Sequence, residues 1–596
     1  MAARTIGIGK QDFEAVITSN IFYVDKTHFI KEWWGNEDDV TLIIRPRRFG
    51  KTLTMSMVEK FFSVEYAGRK DLFQGLAIWQ EKFSAGENPL GEDYKYRQLQ
   101  GTYPVISLTF ANVKEVDYRH AREKICQLIA SEYARHAFLL EGDYLTEQEK
   151  DTFRRKSIDM GDVDATLAIN QLSEYLSRYY DKRVIILLDE YDTPLQEAYV
   201  HGYWRELVDF TRSLFNATFK TNPYLARAIM TGITRVSKES IFSDLNNLEV
   251  VTTTSDKYMD SFGFTEEEVF SALEEYGLGE NKADVKKWYD GFTFGNRRDI
   301  YNPWSILNYL DKGKVGTYWA NTSANSLVGK LIREGSPDVK MTMEDLLQDK
   351  TYETEIDEQI VFNQLDYKQN AVWSLLLASG YLKVESYEID PAGGREKYGL
   401  KLTNMEVRLM FERMIEGWFR EYTPHYNTFI KALMLGDIDA MNTYMNRVAF
   451  ATFSYFDTGT HPSEEADPER FYHGFVLGLT VDLADSYIIT SNRESGFGRY
   501  DILMEPKLSG TGGKGKGCPG EALANNGGRN GRGDAIIIEF KVNNPKREKN
   551  LEDTVASALG QIERMQYEAA LIQRGIPREC IRKYGFAFRG KEVLIG

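Results

Sequence analysis

Cysteine is scarce in this chain: Cys126, Cys518 and Cys580 are the three in 596 residues. They are far apart, odd in number and never in a Cys-x-x-Cys pair, which disfavours a disulfide framework and a zinc site. Long apolar runs are missing too. No apolar signal region follows Met1-Ala-Ala-Arg-Thr5, and no stretch approaches the ~18 apolar residues of a membrane span, so the expectation is a cytoplasmic protein without a membrane partner. Positive charge is short as well. A formal net charge of −16 argues against a basic footprint over the whole surface, so any nucleic-acid contact has to be local. The one locally basic stretch is 541–596, with eleven Lys or Arg against seven Asp or Glu. No internal repeat appears at solenoid periods.

What is present is ordinary globular composition, 42% hydrophobic and 27% charged, in a chain long enough for about three to five domains. From 1 to 300, short apolar runs alternate with longer amphipathic stretches, the pattern of a parallel sheet with crossover helices. Val40–Ile44, Val105–Phe110, Val184–Leu188, Ala226–Met230 and Val250–Thr254 are the five expected strands. Residues 301–455 read as a mostly helical connecting domain, with helices at Pro303–Leu310 and Ala371–Ser379. Residues 456–596 form a third domain with two β-rich segments. Between these lies 509–534, rich in Gly, Asn and Lys and expected to be a flexible insertion.

Arg45-Pro-Arg-Arg-Phe-Gly-Lys-Thr52 follows the first expected strand and precedes an expected helix, Leu53–Phe62. A phosphate loop needs tight backbone whose N–H groups converge on phosphate, a lysine to reach it and a hydroxyl to hold Mg²⁺. Arg48, Phe49, Gly50, Lys51 and Thr52 supply these for ATP. Arg45 stands where such loops usually carry their first glycine, and Arg45, Arg47 or Arg48 could add charge near phosphate. Val184–Leu188 reads as a buried central strand ending in Asp189-Glu190-Tyr-Asp192. There Asp189 suits Mg²⁺ and Glu190 suits polarising the attacking water, while Asp192 suits helix capping or hydrogen bonding. The next run ends Thr231-Gly-Ile-Thr-Arg235, where Thr231 can sense the γ-phosphate and Arg235 can serve the transition state.

Together with Phe22-Tyr-Val-Asp-Lys26, Leu188-Asp-Glu-Tyr-Asp-Thr-Pro194, Thr231-Gly-Ile-Thr-Arg-Val-Ser-Lys238 and Tyr289-Asp-Gly-Phe292, the loop resembles the bacterial AAA-ATPase-like family. That resemblance implies a P-loop NTPase domain followed by a C-terminal PD-(D/E)XK nuclease-type, restriction-endonuclease-like α/β domain. Arg45 is then the family's own variant of the loop.

The C-terminal end carries its own chemistry. In Ala535–Val542, Glu539 and Lys541 are two apart and share a face, while Ile538, Phe540 and Val542 are expected to face a core. Gly498–Met504 can pair with it antiparallel and bring Asp501 near Glu539. Two carboxylates there suit Mg²⁺ or Mn²⁺, with a lysine to orient or deprotonate the activated water. By resemblance Asp501, Glu539 and Lys541 take the nuclease acid, acid and lysine positions, Glu469, with Glu464 and Glu465 as rivals, is a further metal-ligand candidate, and Gln561 resembles a supporting polar residue.

The expected function is therefore an ATP-binding and ATP-hydrolysing protein whose nucleotide cycle is coupled to a metal-dependent nuclease acting on DNA or RNA. An ATP-dependent switch or scaffold that binds nucleic acid or protein without cleavage is the alternative, and an ATPase with a structural tail that assembles on ATP is a third reading. ATPase modules of this type often work as homo-oligomers, and no stoichiometry follows from the sequence.

Overall fold

The computed structural model describes residues 4–79, 93–234, 242, 245–320, 326–357, 369–389, 394–420, 426–446, 478–479, 481, 483, 486–495, 498–507, 534–545, 547–589 and 592–596. They divide into two compact units. The first joins Met1–Ser323 to Glu353–Val407, and the second joins Ala324–Tyr352 to Arg408–Gly596.

A five-stranded, wholly parallel sheet organises the first unit. Its strands are β1 (Val40–Ile44), β2 (Val105–Thr109), β3 (Val184–Asp189), β4 (Leu225–Gly232) and β5 (Leu248–Val251), in the order β2-β3-β4-β1-β5. β1 and β3 are buried along their whole length, as runs of Val, Ile and Leu require when helices cover both faces. The crossovers include the helices Tyr118–Arg135, Asp162–Tyr180 and Trp204–Phe215. Ile43, Ile185, Leu187 and Ile229 enter a core with Phe29, Trp33, Phe61 and Phe62.

The five strands expected from sequence are these five, each within two residues of its expected limits, apart from the last, which starts two residues earlier and ends three earlier. Their spatial order places β4 between the loop strand β1 and the acid strand β3, so the ends of all three strands lie side by side.

Three more strands, β6 (Phe264–Thr265), β7 (Phe292–Phe294) and β8 (Arg297–Tyr301), form a small sheet of order β6-β8-β7. Val269, Leu273, Tyr289, Tyr301, Ile306 and Tyr309 pack around it. Asn302 caps the helix Pro303–Lys312, accepting from the N–H groups of Trp304 and Ser305. Within 301–455, expected to be mostly helical, the chain also forms β9 (Tyr352–Thr354), β10 (Leu382–Ile389) and β11 (Glu396–Leu402), ordered β10-β11-β9. That stretch is shared between the two units.

The second unit holds β12 (Tyr487–Ser495), β13 (Gly498–Pro506), β14 (Ala535–Val542), β15 (Ile581–Arg589) and β16 (Glu592–Ile595) in sequential order. β14 and β15 run parallel and the other neighbours antiparallel. The parallel pair needs a crossover, and the helix Leu551–Arg564 supplies it. One expectation fails here. Val542 is 57% exposed rather than packed in a core, because β14 leaves the sheet's buried interior after Glu539. Ile538 is fully buried, and Phe540 stacks on Phe586 and Phe588. The insertion 509–534, apart from Asp534, lies outside the described residues.

Candidate functional site

The first constellation sits where β1, β3 and β4 end. Gly50 adopts a φ of +85°, a left-handed turn that glycine takes without a side-chain clash, and starts the helix Lys51–Phe62. Lys51 is buried, and its Nζ donates to the carbonyls of Arg45 at 2.8 Å and Pro46 at 2.9 Å. Burial pulls its pKa down, opposed by the charges of Glu190, Asp189 and Asp192.

Thr52 Oγ1 donates to Asp189 Oδ2 at 2.7 Å, and Thr231 Oγ1 donates a short hydrogen bond to Asp189 Oδ1. One buried carboxylate thus joins the loop helix to the tip of β4. Glu190 follows with a φ of +51°, uncommon for a residue with a side chain. Its N–H donates to Thr231 Oγ1 at 3.2 Å, and its Oε2 accepts from Thr193 Oγ1 at 3.2 Å.

Asp192 does not cap its own helix. Its Oδ2 instead accepts from the N–H groups of Ile233 and Thr234, the Thr234 hydroxyl and Gln196 Nε2. Gly232 permits this closure, since a Cβ there would lie 2.6 Å from the Tyr191 ring and 2.9 Å from Asp192 Oδ1. Arg235, just beyond, lies outside the described residues.

Arg45 does not bring charge to the loop's open side. It is fully buried, and its guanidinium donates to the carbonyls of Ile44, Thr252 and Lys257 while lying 4.4 Å from the Phe294 ring centroid. All of these partners but Ile44 come from more than 200 residues downstream, so no local pattern reveals them. Arg47 and Arg48 are exposed. Phe49 is buried edge-on against Phe292 and Phe294. The Thr52 hydroxyl and Asp189 carboxylate are hard oxygen donors beside a buried ammonium, a set that fits Mg²⁺ held mostly by water and phosphate.

The second constellation lies in the other unit. Because Ile502 pairs with Ile538 antiparallel, Asp501 and Glu539 stand opposite one another on the same face. Asp501 Oδ2 accepts from the Phe540 N–H at 2.7 Å. Lys541 Nζ donates to Gln561 Oε1 at 2.7 Å, and Gln561 Nε2 donates a short bond to Glu539 Oε1. Gln561 therefore bridges the acid and the lysine.

Glu539 is 3% exposed, and its Oε2 is buried without a hydrogen-bond partner. Burial first, then the Asp501 charge, pushes its carboxyl up to about 8, against the pull of Lys541. An orphaned carboxylate oxygen beside a second acid fits a hard divalent cation. Tyr567 joins the group without a sequence signal: it is buried, and its hydroxyl accepts from Gln561 Nε2 at 3.1 Å. It lies past the end of Gln561's helix, where no helical spacing links the two. Glu469 lies outside the described residues.

Among the described residues no helix is long and apolar enough to cross a membrane. Comparison with known proteins matches residues 7–242 to a family described as predicted AAA-ATPase, which points to nucleotide binding by the first unit. An uncharacterized protein in the vnfD 5'region of Azotobacter chroococcum mcd 1 is 24% identical over 505 residues, covering 82% of this chain and 86% of that protein.

Proposed function

We propose that the chain binds and hydrolyses ATP at the tips of β1, β3 and β4, and that this cycle gates metal-dependent phosphodiester cleavage at Asp501, Glu539 and Lys541. The hydrogen-bonded chain Thr52–Asp189–Thr231 carries the first half, because it gathers a hydroxyl, an acid and a third strand tip at the start of a helix beside a buried lysine. In this reading the backbone of Arg48, Phe49 and Gly50 and the Lys51 ammonium hold the phosphates. Thr52 and Asp189 hold Mg²⁺, Glu190 polarises the attacking water, Thr231 senses the γ-phosphate and Arg235 meets transition-state charge. Purified protein should release phosphate from Mg-ATP. Lys51→Ala should abolish binding, and Glu190→Gln should keep binding while hydrolysis falls at least about 100-fold. Hydrolysis by Lys51→Ala at the wild-type rate would falsify the assignment.

The orphaned Oε2 of Glu539 supports the second half. Asp501 and Glu539, with Glu469 as a further candidate, would hold Mg²⁺ or Mn²⁺, which supplies an activated water and charge neutralisation at a scissile phosphate. Lys541, held by Gln561, orients that water. DNA or RNA incubated with the protein and Mn²⁺ should be nicked or degraded, and Lys541→Ala should stop this with ATP binding intact. Mn²⁺ titration should lose its binding isotherm in Glu539→Ala. A folded wild-type protein that neither binds Mn²⁺ nor cuts would favour the non-cleaving scaffold instead.

A further inference from the structure

We infer that Asn302 and Trp319 are positioning residues for the phosphate loop, acting through the Arg47 carbonyl; the inference rests on the nucleotide-binding reading above. The Arg47 oxygen accepts from Asn302 Nδ2 at 3.2 Å and from Trp319 Nε1 at 3.1 Å. Both donors come from more than 250 residues downstream and belong to the same unit as the loop. A peptide bond is planar and trans, so its C=O and N–H point to opposite sides. Fixing the Arg47 carbonyl with two donors therefore turns the Arg48 N–H away from both side chains, and that N–H is one of the groups a phosphate loop offers to an anion.

The donors are themselves fixed. Asn302 is 1% exposed, and its amide works in two directions: Oδ1 caps the helix Pro303–Lys312 while Nδ2 holds the loop. The Trp319 backbone N–H donates to Glu406 Oε1 at 2.6 Å, and Ser305 Oγ, in the capped helix, donates to Glu406 Oε2 at 2.8 Å. One buried carboxylate thus ties together the two segments that carry the donors. Beside them the Arg48 guanidinium lies 4.3 Å from the Trp304 ring centroid. On the other flank Gly380 closes on Pro46, where a Cβ would approach to 3.0 Å. Contacts from 252–380 thus add to those that Lys51 and Gly232 make to Arg45 and Pro46, so the loop's shape is set partly from outside the parallel sheet.

Asn302→Asp separates the two tasks of that amide, since aspartate caps helices as well as asparagine but cannot donate. Trp319→Phe removes the Nε1–H and keeps a ring against Phe292 and Tyr381. Full-length proteins would be titrated with Mg-ATP by calorimetry and melted without nucleotide. Asn302→Asp and Trp319→Phe should each weaken ATP binding by at least about three- to tenfold, the range for one lost hydrogen bond, with a melting temperature near wild type for Trp319→Phe and a lower one for Asn302→Asp, whose buried carboxylate faces the Arg47 carbonyl. Asn302→Ala should lose both ATP affinity and melting temperature. A purely capping role predicts that Asn302→Asp binds ATP as wild type does, and wild-type affinity in both Asn302→Asp and Trp319→Phe overturns the inference. Should Trp319→Phe fail to fold, Asn302→Asp decides alone. If folded wild type binds no ATP, the nucleotide reading itself falls; if wild type binds, Lys51→Ala does not and the two variants match wild type, only the positioning role falls.

Discussion

Asp192 and Glu539 are buried carboxylates that each leave one oxygen without a partner, and they differ in how firmly the other oxygen is held. Asp192 Oδ2 is met by four donors, three of them in the turn after β4. Asp192→Ala would leave the Ile233 and Thr234 N–H groups without that acceptor and should destabilise the first unit by about 2–4 kcal/mol. Asp192→Asn keeps one acceptor oxygen and should cost roughly half as much, both read by urea denaturation. Equal stability of the alanine variant and wild type would remove the role given to this residue.

Glu539 Oε1 is met by Gln561 Nε2, and its Oε2, like Asp192 Oδ1, has no partner. Its folded carboxyl keeps a proton up to about 8, whereas its ordinary value is 4.5. Between those values the folded state binds the extra proton, so this group's contribution to stability declines as pH rises from 4.5 to 8. Glu539→Gln should therefore raise the melting temperature in metal-free buffer at pH 8.5 and change it little at pH 4.5. A gap that does not widen with pH contradicts the burial argument. Added Mn²⁺ should reverse the ranking at high pH, because only wild type gains a bound ion.

Turns and strand ends do the positioning at the next scale. Gly380 has a φ of +85° between the helix Gln369–Ala378 and β10, and a Cβ there would lie 2.9 Å from the Phe292 ring and 3.0 Å from Pro46. Gly380→Ala combines backbone strain with overpacking and should cost about 2–4 kcal/mol. It should also weaken ATP binding, since Pro46 belongs to the loop. Loss of stability with unchanged ATP affinity would confine Gly380 to folding.

Such contacts mark the limit of what the sequence makes legible. The five parallel strands could be read because a strand buried on both faces must be a continuous run of β-branched and aliphatic residues, as Val184–Leu188 is. The pairing of Asp501 with Glu539 followed from strand alternation, which a register places on one face. The insertion of β4 between β1 and β3 could not be read, because crossover lengths permit several orders. Which of Arg45, Arg47 and Arg48 is buried is illegible for a similar reason: a guanidinium facing Thr252 and Lys257 carbonyls depends on a loop 200 residues away. Asn302, Trp319 and Tyr567 carry no motif, and their roles come from tertiary contacts alone.

Over the whole molecule the proposal requires two sites in separate units to share one free energy. The chain passes between those units three times, after Ser323, Tyr352 and Val407. Glu406, which anchors the Asn302 and Trp319 segments, stands one residue before the last passage. Coupling between two ligands is reciprocal at equilibrium: if one changes the other's affinity by a factor, the reverse factor is the same. Cleavage has to be silenced for the measurement, and Glu539→Ala does that without touching the phosphate loop. With this variant, a non-hydrolysable ATP analogue should change the affinity for a DNA or RNA oligonucleotide by about 5- to 150-fold, and the oligonucleotide should change the analogue's affinity equally. Lys51→Ala, added to the same protein, should erase the effect on the oligonucleotide. A factor of one in both directions, with each ligand still bound, would leave an ATPase and a nucleic-acid site joined only by the chain; unequal factors would mean that a third equilibrium, such as self-association, is being measured with them.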